Sequence, residues 1–160
     1  MTKALVPIDG SETALRALRH AMKVAGEIHV VNVQPKADTP TLLLHMTEAE
    51  IEQAQLINGR AMIRDACSVL DAAARVYRAH VLIGEPAAEI VGVAESEGVD
   101  TIVMGTRGMG AWGNLMLGST ATKVVHLAQT PVTLAYSGIG ALTSKPTQST
   151  CGSTWASRRG

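Results

Sequence analysis

The stretch of this chain best suited to chemistry is a glycine-rich run, Gly105-Thr-Arg-Gly108-Met-Gly-Ala-Trp-Gly113-Asn-Leu-Met-Leu-Gly118-Ser-Thr120. Glycines let the backbone approach a ligand closely and turn successive N–H groups toward it. A helix starting at the end of such a loop adds free N–H donors and the positive end of its dipole. The chemistry this suits is the holding of a phosphate chain. Ser119 and Thr120 place hydroxyl donors at the far end, and Ser119 would also serve as the N-cap of the helix that follows. Arg107 is long enough to reach a phosphate and equally suited to being a solvated loop cation. A second polar loop, Asp9-Gly10-Ser11, offers one carboxylate. Taken alone, Asp9 reads as a turn residue assisting the start of a helix.

Spacing excludes several other chemistries. Gly108-Met-Gly110-Ala-Trp-Gly113 matches GxGxxG, but it follows the fourth apolar run instead of the first. No Asp or Glu occurs after Asp100 to hold a ribose, so a nicotinamide cofactor is not expected. Neither the phosphate loop GxxxxGK[ST] nor the nucleophile elbow GxSxG is present. His20, His29, His45, His80 and His126 form no HxH or HxxxH pair, so no metal site built from side chains is expected. Phosphoryl transfer needs a positioned water and stabilised transition-state charge. Only Arg107 or Lys123 could supply the charge, and Asp9 is the one evident base, so fast hydrolysis is not expected and no residue is assigned a catalytic role.

The elements that must position these loops follow from hydrophobic period and end signals. Ala4 to Ile8, Ile28 to Val33, Val76 to Ile83, Thr101 to Met104 and Pro131 to Tyr136 read as strands. Between them, Ser11 caps a helix that Gly26 ends. Thr47-Glu-Ala-Glu50 forms the capping box of a helix running to about Ala74, with Gly59 as an internal weak point. Pro86 opens a third helix stopped by Gly98, and a fourth runs from Ser119 to Ala128. Strands separated by helices pair in parallel, and right-handed crossovers then give an open five-stranded parallel α/β sheet with helices on both faces, Rossmann-like in architecture. Such sheets bind ligands outside the carboxyl ends of their strands, where both polar loops fall. Pro7 is awkward in a central strand and tolerable only near its end.

Composition agrees with one such domain. The chain has 160 residues, 46% hydrophobic, with 2% aromatics and no Phe, so its core is aliphatic. Scarce aromatics and 14 basic against 14 acidic side chains argue against a nucleic-acid binder. That neutrality is a cancellation: residues 1–100 hold 14 acidic and 9 basic side chains, residues 101–160 five basic and none acidic. The acid-free part contains the whole glycine loop, where a carboxylate would repel an anion. No apolar run is long enough to span a bilayer and no signal peptide is evident, so a cytoplasmic protein with no membrane partner is expected. Cys67 reads as a small buried apolar residue, and with Cys151 it makes neither a CxxC pair nor a metal spacing. Residues 137–160, rich in Gly, Ser and Thr, read as a flexible or docking tail beyond a folded domain of residues 1–136.

At this point the motifs resemble one family. Gly105-x2-Gly108-x9-Gly118-Ser119 has the spacing of the ATP-binding signature of universal stress proteins. Leu5-Val-Pro-Ile-Asp9-Gly-Ser11, Gly84-x-Pro86, Gly98-Val-Asp100 and Thr130-Pro131-Val132 are similar to that family's junctions, so the likeness runs over about residues 1–136. The resemblance implies an adenine nucleotide alpha hydrolase-like fold. In it Pro7, Ile8 and Asp9 line the adenosine site, with the Asp9 carboxylate on the nucleoside. The backbone of Val33 would meet adenine, Met104, Gly105 and Gly108 would track ribose and phosphates, and Gly118, Ser119 and Thr120 would close around the phosphate chain. It implies ATP with Mg or Mn carried on the phosphates, and a homodimer through the edge strand from Pro131 to Tyr136. Some members of the family lack this glycine pattern and do not bind nucleotide, whereas this sequence retains it. The expected function is thus nucleotide-dependent regulation in a stress response. A slow ATPase and an interaction module without nucleotide are the alternatives.

Overall fold

Residues 1–37, 46–106 and 117–135 are described in the computed structural model of the chain. Their order is β1 (Lys3–Pro7), α1 (Glu12–Val24), β2 (Glu27–Gln34), α2 (Glu48–Ala72), β3 (Tyr77–Ile83), α3 (Pro86–Ser96), β4 (Thr101–Gly105), α4 (Ser119–Leu127) and β5 (Val132–Ala135). The strands form one parallel sheet in the order β3-β2-β1-β4-β5. From β1 the chain winds outward to β2 and β3, then returns to the other side of β1 for β4 and β5. The reversal falls between β1 and β4.

Consecutive residues of β1 are buried because both faces of the sheet are covered: Ala4, Leu5 and Val6 are all inaccessible to solvent. Ala4, Val6, Ile28 and Val30 pack on one face against α1 and α2, meeting Leu18, Ile63 and Leu70. Leu5, Val31, Ile102 and Met104 pack on the other against α3 and α4, meeting Ile90, Val93 and Val124. Each fully buried Leu, Ile or Val contributes about 1.5–3 kcal/mol. Small side chains do the rest: Ala14, Ala17 and Ala21 face the sheet from α1 and let that helix lie close.

Of two glycines with set jobs, the linear pattern misreads the first and reads the second correctly. Gly59 is no weak point in α2. It is buried, and a Cβ there would run into the Val81 side chain and lie 2.9 Å from Asn32 Oδ1, so its absence lets α2 settle onto β2 and β3. Gly98 (φ +58°) follows α3 in the left-handed region, the conformation for which a terminating glycine is needed. The capping box of α2 is present as read, with the Glu50 N–H donating to Thr47 Oγ1 and the Thr47 N–H to Glu50 Oε2.

Pro7 resolves as a device of the switch point. Ile8 N–H donates to Val31 O at 2.8 Å, so in the alternation of a parallel strand the Pro7 nitrogen faces β4. The β1–β4 register stops at Leu5↔Ile102, before the residue with no N–H to give. β1 and β4 therefore part company just where the two polar loops leave the sheet. Tyr136 and residues 137–160 lie outside the described residues.

Candidate functional site

A cavity of about 540 Å³ opens at that parting, over the carboxyl ends of β1, β2 and β4. It falls within the range of small-molecule sites, about 300–1,000 Å³. Of the expected binding residues, Pro7, Ile8, Asp9, Val33, Met104, Gly105, Gly118, Ser119 and Thr120 all line it. Gly108 and Arg107 fall outside the described residues.

One wall is built by the start of α1. Gly10 (φ +83°) makes the turn after β1, and Asp9 Oδ1 accepts from the Ser11 N–H at 2.9 Å. Ser11 Oγ accepts from the Ala14 N–H at 3.2 Å and shares a hydrogen bond with Thr13 Oγ1. Asp9 thus performs the turn role read for it in isolation, while lying exposed at the cavity. Asn32, buried in β2, donates from Nδ2 to Ile8 O at 2.7 Å and pins the mouth of this loop to the neighbouring strand.

The opposite wall is the start of α4, and here one expectation is corrected. Ser119 is not the N-cap. Gly118 holds that position in extended conformation (φ −62°, ψ 155°), and no side chain caps the helix. Ser119 is the first helical residue. The helix starts one residue early because Gly118 O accepts from the Thr122 N–H at 2.9 Å and from Thr122 Oγ1 at 3.0 Å. Among the described residues no side chain takes up the first N–H groups of α4, and the first turn carries no acid. The Gly118 N–H donates to Thr106 O at 2.8 Å, so the two ends of the glycine segment are clasped at the cavity.

Thr106 was not singled out from the sequence. Its side chain is buried, lines the cavity, and its hydroxyl has no hydrogen-bond partner among the described residues. A buried hydroxyl left alone is costly, and a ligand oxygen would satisfy it. Together with the bare N-terminus of α4, this donor set fits an anion. Gly105, which lines the cavity as expected, has a packing task as well. A Cβ there would stand 3.1 Å from the backbone of Thr13, so the glycine lets β4 pass under the first turn of α1.

Ser11, Val31, Asn32, Pro86 and Ile90 also line the cavity without having been predicted. Alternation along β2 puts Val31 on the face of Val33, the one signal available. Lys123, weighed above as a source of charge, is not in the cavity lining. Its Nζ donates at 2.9 Å to Glu85 Oε1, the residue that caps α3, and with the Ala88 N–H it holds the Glu85 carboxyl below the usual carboxylate range. The histidines are less scattered than the sequence suggests, since pairing of β2 with β3 brings His29 Nδ1 and His80 Nε2 to 3.3 Å. Cys67 is half-buried, and burial pushes its thiol up.

Fold and cavity define an open parallel α/β domain with a ligand site at its topological switch point. The model of the universal stress protein family matches residues 1–135, and the chain belongs to that family. It is 31% identical over 137 residues to the universal stress protein MJ0531 of Methanocaldococcus jannaschii, with 81% of this chain and 79% of that protein covered. To a universal stress protein of Thermus aquaticus it is 34% identical over 137 residues, covering 81% and 95%. Among solved structures, MJ0577 superposes with a TM-score of 0.75 at 26% identity over 87% of this chain and 98% of that one. A universal stress family protein of Arabidopsis thaliana, solved with AMP bound, shares the fold at a TM-score of 0.61 and 18% identity, covering 85% and 92%. No helix among the described residues is long and apolar enough to cross a membrane.

Proposed function

We propose that the cavity binds ATP, with Mg or Mn carried on its phosphates, and that the chain acts as a nucleotide-dependent regulator in a stress response. The observation that carries this reading is the start of α4, uncapped by any side chain and free of acids, opening into the same cavity as Asp9. Ser119, Thr120 and the N–H groups of the first turn would receive the phosphates, the Gly118 and Gly108 backbone would close around them, and the Arg107 side chain would supply a further phosphate contact. Asp9 would accept from the nucleoside, Pro7, Ile8 and the Val33 backbone would flank the base, and Met104 and Gly105 would lie under the ribose. The Thr106 hydroxyl gains the partner it lacks. A relative described with AMP and another described in complex with cAMP support the nucleotide class.

Residues 1–136 form the binding domain in this reading, and 137–160 a flexible or docking tail. The edge strand from Pro131 to Tyr136 would pair two copies, a reading that the exposure of Leu134 on this strand supports. The protein would act in the cytoplasm. Mass analysis of nucleotide released by denaturing the purified chain, with thermal unfolding in MgATP, tests the proposal. Ligand at about 100 times its dissociation constant should stabilise by roughly 2.7 kcal/mol. No released nucleotide together with no shift at millimolar MgATP would contradict it. Turnover of bound ATP would move the assignment to a slow ATPase.

A further inference from the structure

At the amino end of the sheet, on the face covered by α3, three groups from three elements converge: His29 of β2, His80 of β3 and Glu97, the residue that ends α3. We infer that His29 Nδ1, His80 Nε2 and a Glu97 carboxylate oxygen form a binding site for a divalent first-row transition ion such as Zn2+, with a fourth position open to water. The site is separate from the cavity. His29 lies four residues before Val33 on β2, about 13 Å along the strand.

Distances support the donor set. The three ligand atoms lie within 4.8 Å of one another. The two ring nitrogens are 3.3 Å apart, and a tetrahedral ion with metal–nitrogen bonds of about 2.0–2.1 Å holds its nitrogens about 3.3–3.4 Å apart. His29 Nδ1 to Glu97 Oε2 is 3.8 Å, so on that edge the carboxylate need move in by about 0.5 Å, while the set as a whole must draw in from within 4.8 Å. The rings meet edge to edge in nearly parallel planes, 9° apart with centroids 5.5 Å apart, so that the two nitrogens face each other along their hydrogen bond. The ion would sit off the line joining the nitrogens, on the Glu97 side, once the less buried His80 gives up its hydrogen bond to His29 and turns its ring to re-aim Nε2.

A second observation points the same way. The far nitrogen of His29, Nε2, is 3.1 Å from Glu27 Oε1. A carboxylate on the far ring N–H fixes the tautomer that leaves Nδ1 as a lone-pair donor, and it is the arrangement that commonly orients metal-bound imidazole. His29 is fully buried, so that orientation is held by packing as well. Arg78 lies over the group, 3.1 Å from Glu97 and 3.7 Å from Glu27. Its side chain is largely exposed, and a solvated pair of this kind yields readily to a metal.

The test is titration of the metal-free full chain with Zn2+ against a chromophoric chelator, and with Co2+ read by its visible absorption, both without nucleotide. One equivalent should bind, with the Co2+ spectrum of a nitrogen- and oxygen-ligated ion of low coordination number. His80→Ala and Glu97→Gln should each abolish that binding or shift it beyond the chelator's range. Glu27→Gln, which touches no metal, should weaken it by about 10–100-fold. His126→Ala on the surface should leave it unchanged. Glu97→Gln keeps the side chain's size and removes only its charge beside Arg78 and His29, so it decides the matter even if His80→Ala unfolds. No equivalent bound by the wild-type chain, or one bound equally by Glu97→Gln and His80→Ala, would overturn the site and leave His29 and His80 as a hydrogen-bonded pair.

Discussion

Among the described residues four helices begin, and three of them are closed by a side chain. Ser11 accepts from the Ala14 N–H at the start of α1, Thr47 from Glu50 at α2, and Glu85 from Ala88 at α3. Only α4 starts on a glycine that has nothing to offer. The contrast matters most between α1 and α4, because both open on the same cavity. α1 is finished within the chain: it has its cap, an Asx turn from Asp9, and Glu12 in its first turn, itself paired with Arg16 and Arg19. α4 has none of these. Identical backbone chemistry thus gives one wall that is structural and carries acid, and another left bare and electropositive. The first suits a neutral nucleoside and the second an anion.

Giving α4 what α1 has should do the most. Ser119→Glu puts a carboxylate at the first helical position, matching Glu12. It should remove the whole stabilisation by MgATP, about 2.7 kcal/mol at 100 times the dissociation constant. It should also raise the stability of the nucleotide-free protein by about 0.3–1 kcal/mol through the helix dipole. Thermal unfolding with and without MgATP reads both, and their opposite signs separate a lost ligand from a damaged fold. Next in size is the junction of the two walls. Gly105→Val drives its side chain into the Thr13 backbone and should cost about 1–3 kcal/mol in urea unfolding.

Serines at the two helix starts should then behave differently. Ser11→Ala removes a working cap and should cost about 1 kcal/mol. Ser119→Ala caps nothing and should stay within about 0.5 kcal/mol in the absence of nucleotide. Equal losses would erase the distinction. The smallest effect belongs to the α3 cap. The carboxyl of Glu85 is held below 4.5 by Lys123 and the Ala88 N–H. Its folded-state pKa is depressed, so its contribution is present above pH 4.5 and lost as pH falls through the folded value. Glu85→Gln should therefore melt below the wild type at pH 7, by a margin that shrinks as the pH falls below 4.5.

Most of this framework is legible from residue order, because strands, caps and crossovers are set by neighbours in the chain. Every element falls within a few residues of its reading, and Pro7, Asp9 and Gly118 are found at the cavity. What escapes is what depends on distance in space. The use of Gly105 depends on Thr13, and that of Gly59 on Val81 and Asn32, contacts between elements far apart in sequence. Thr106 looks like any loop threonine until its burial is known. Ser119 has the right type for a cap, and only the backbone conformation of Gly118 assigns the position elsewhere. His29 and His80 stand 51 residues apart, a spacing that no local motif could flag.

The most direct test of the central claim is a backbone amide NMR titration of the full chain with MgATP. The amide signals of Ser119, Thr120 and Ala121 should move most, as their N–H groups take up phosphate, while those of Thr13 and Ala14 at the capped start of α1 move less. Unmoved signals from Ser119 to Ala121 at millimolar MgATP, or equal movement at both helix starts, would contradict the account.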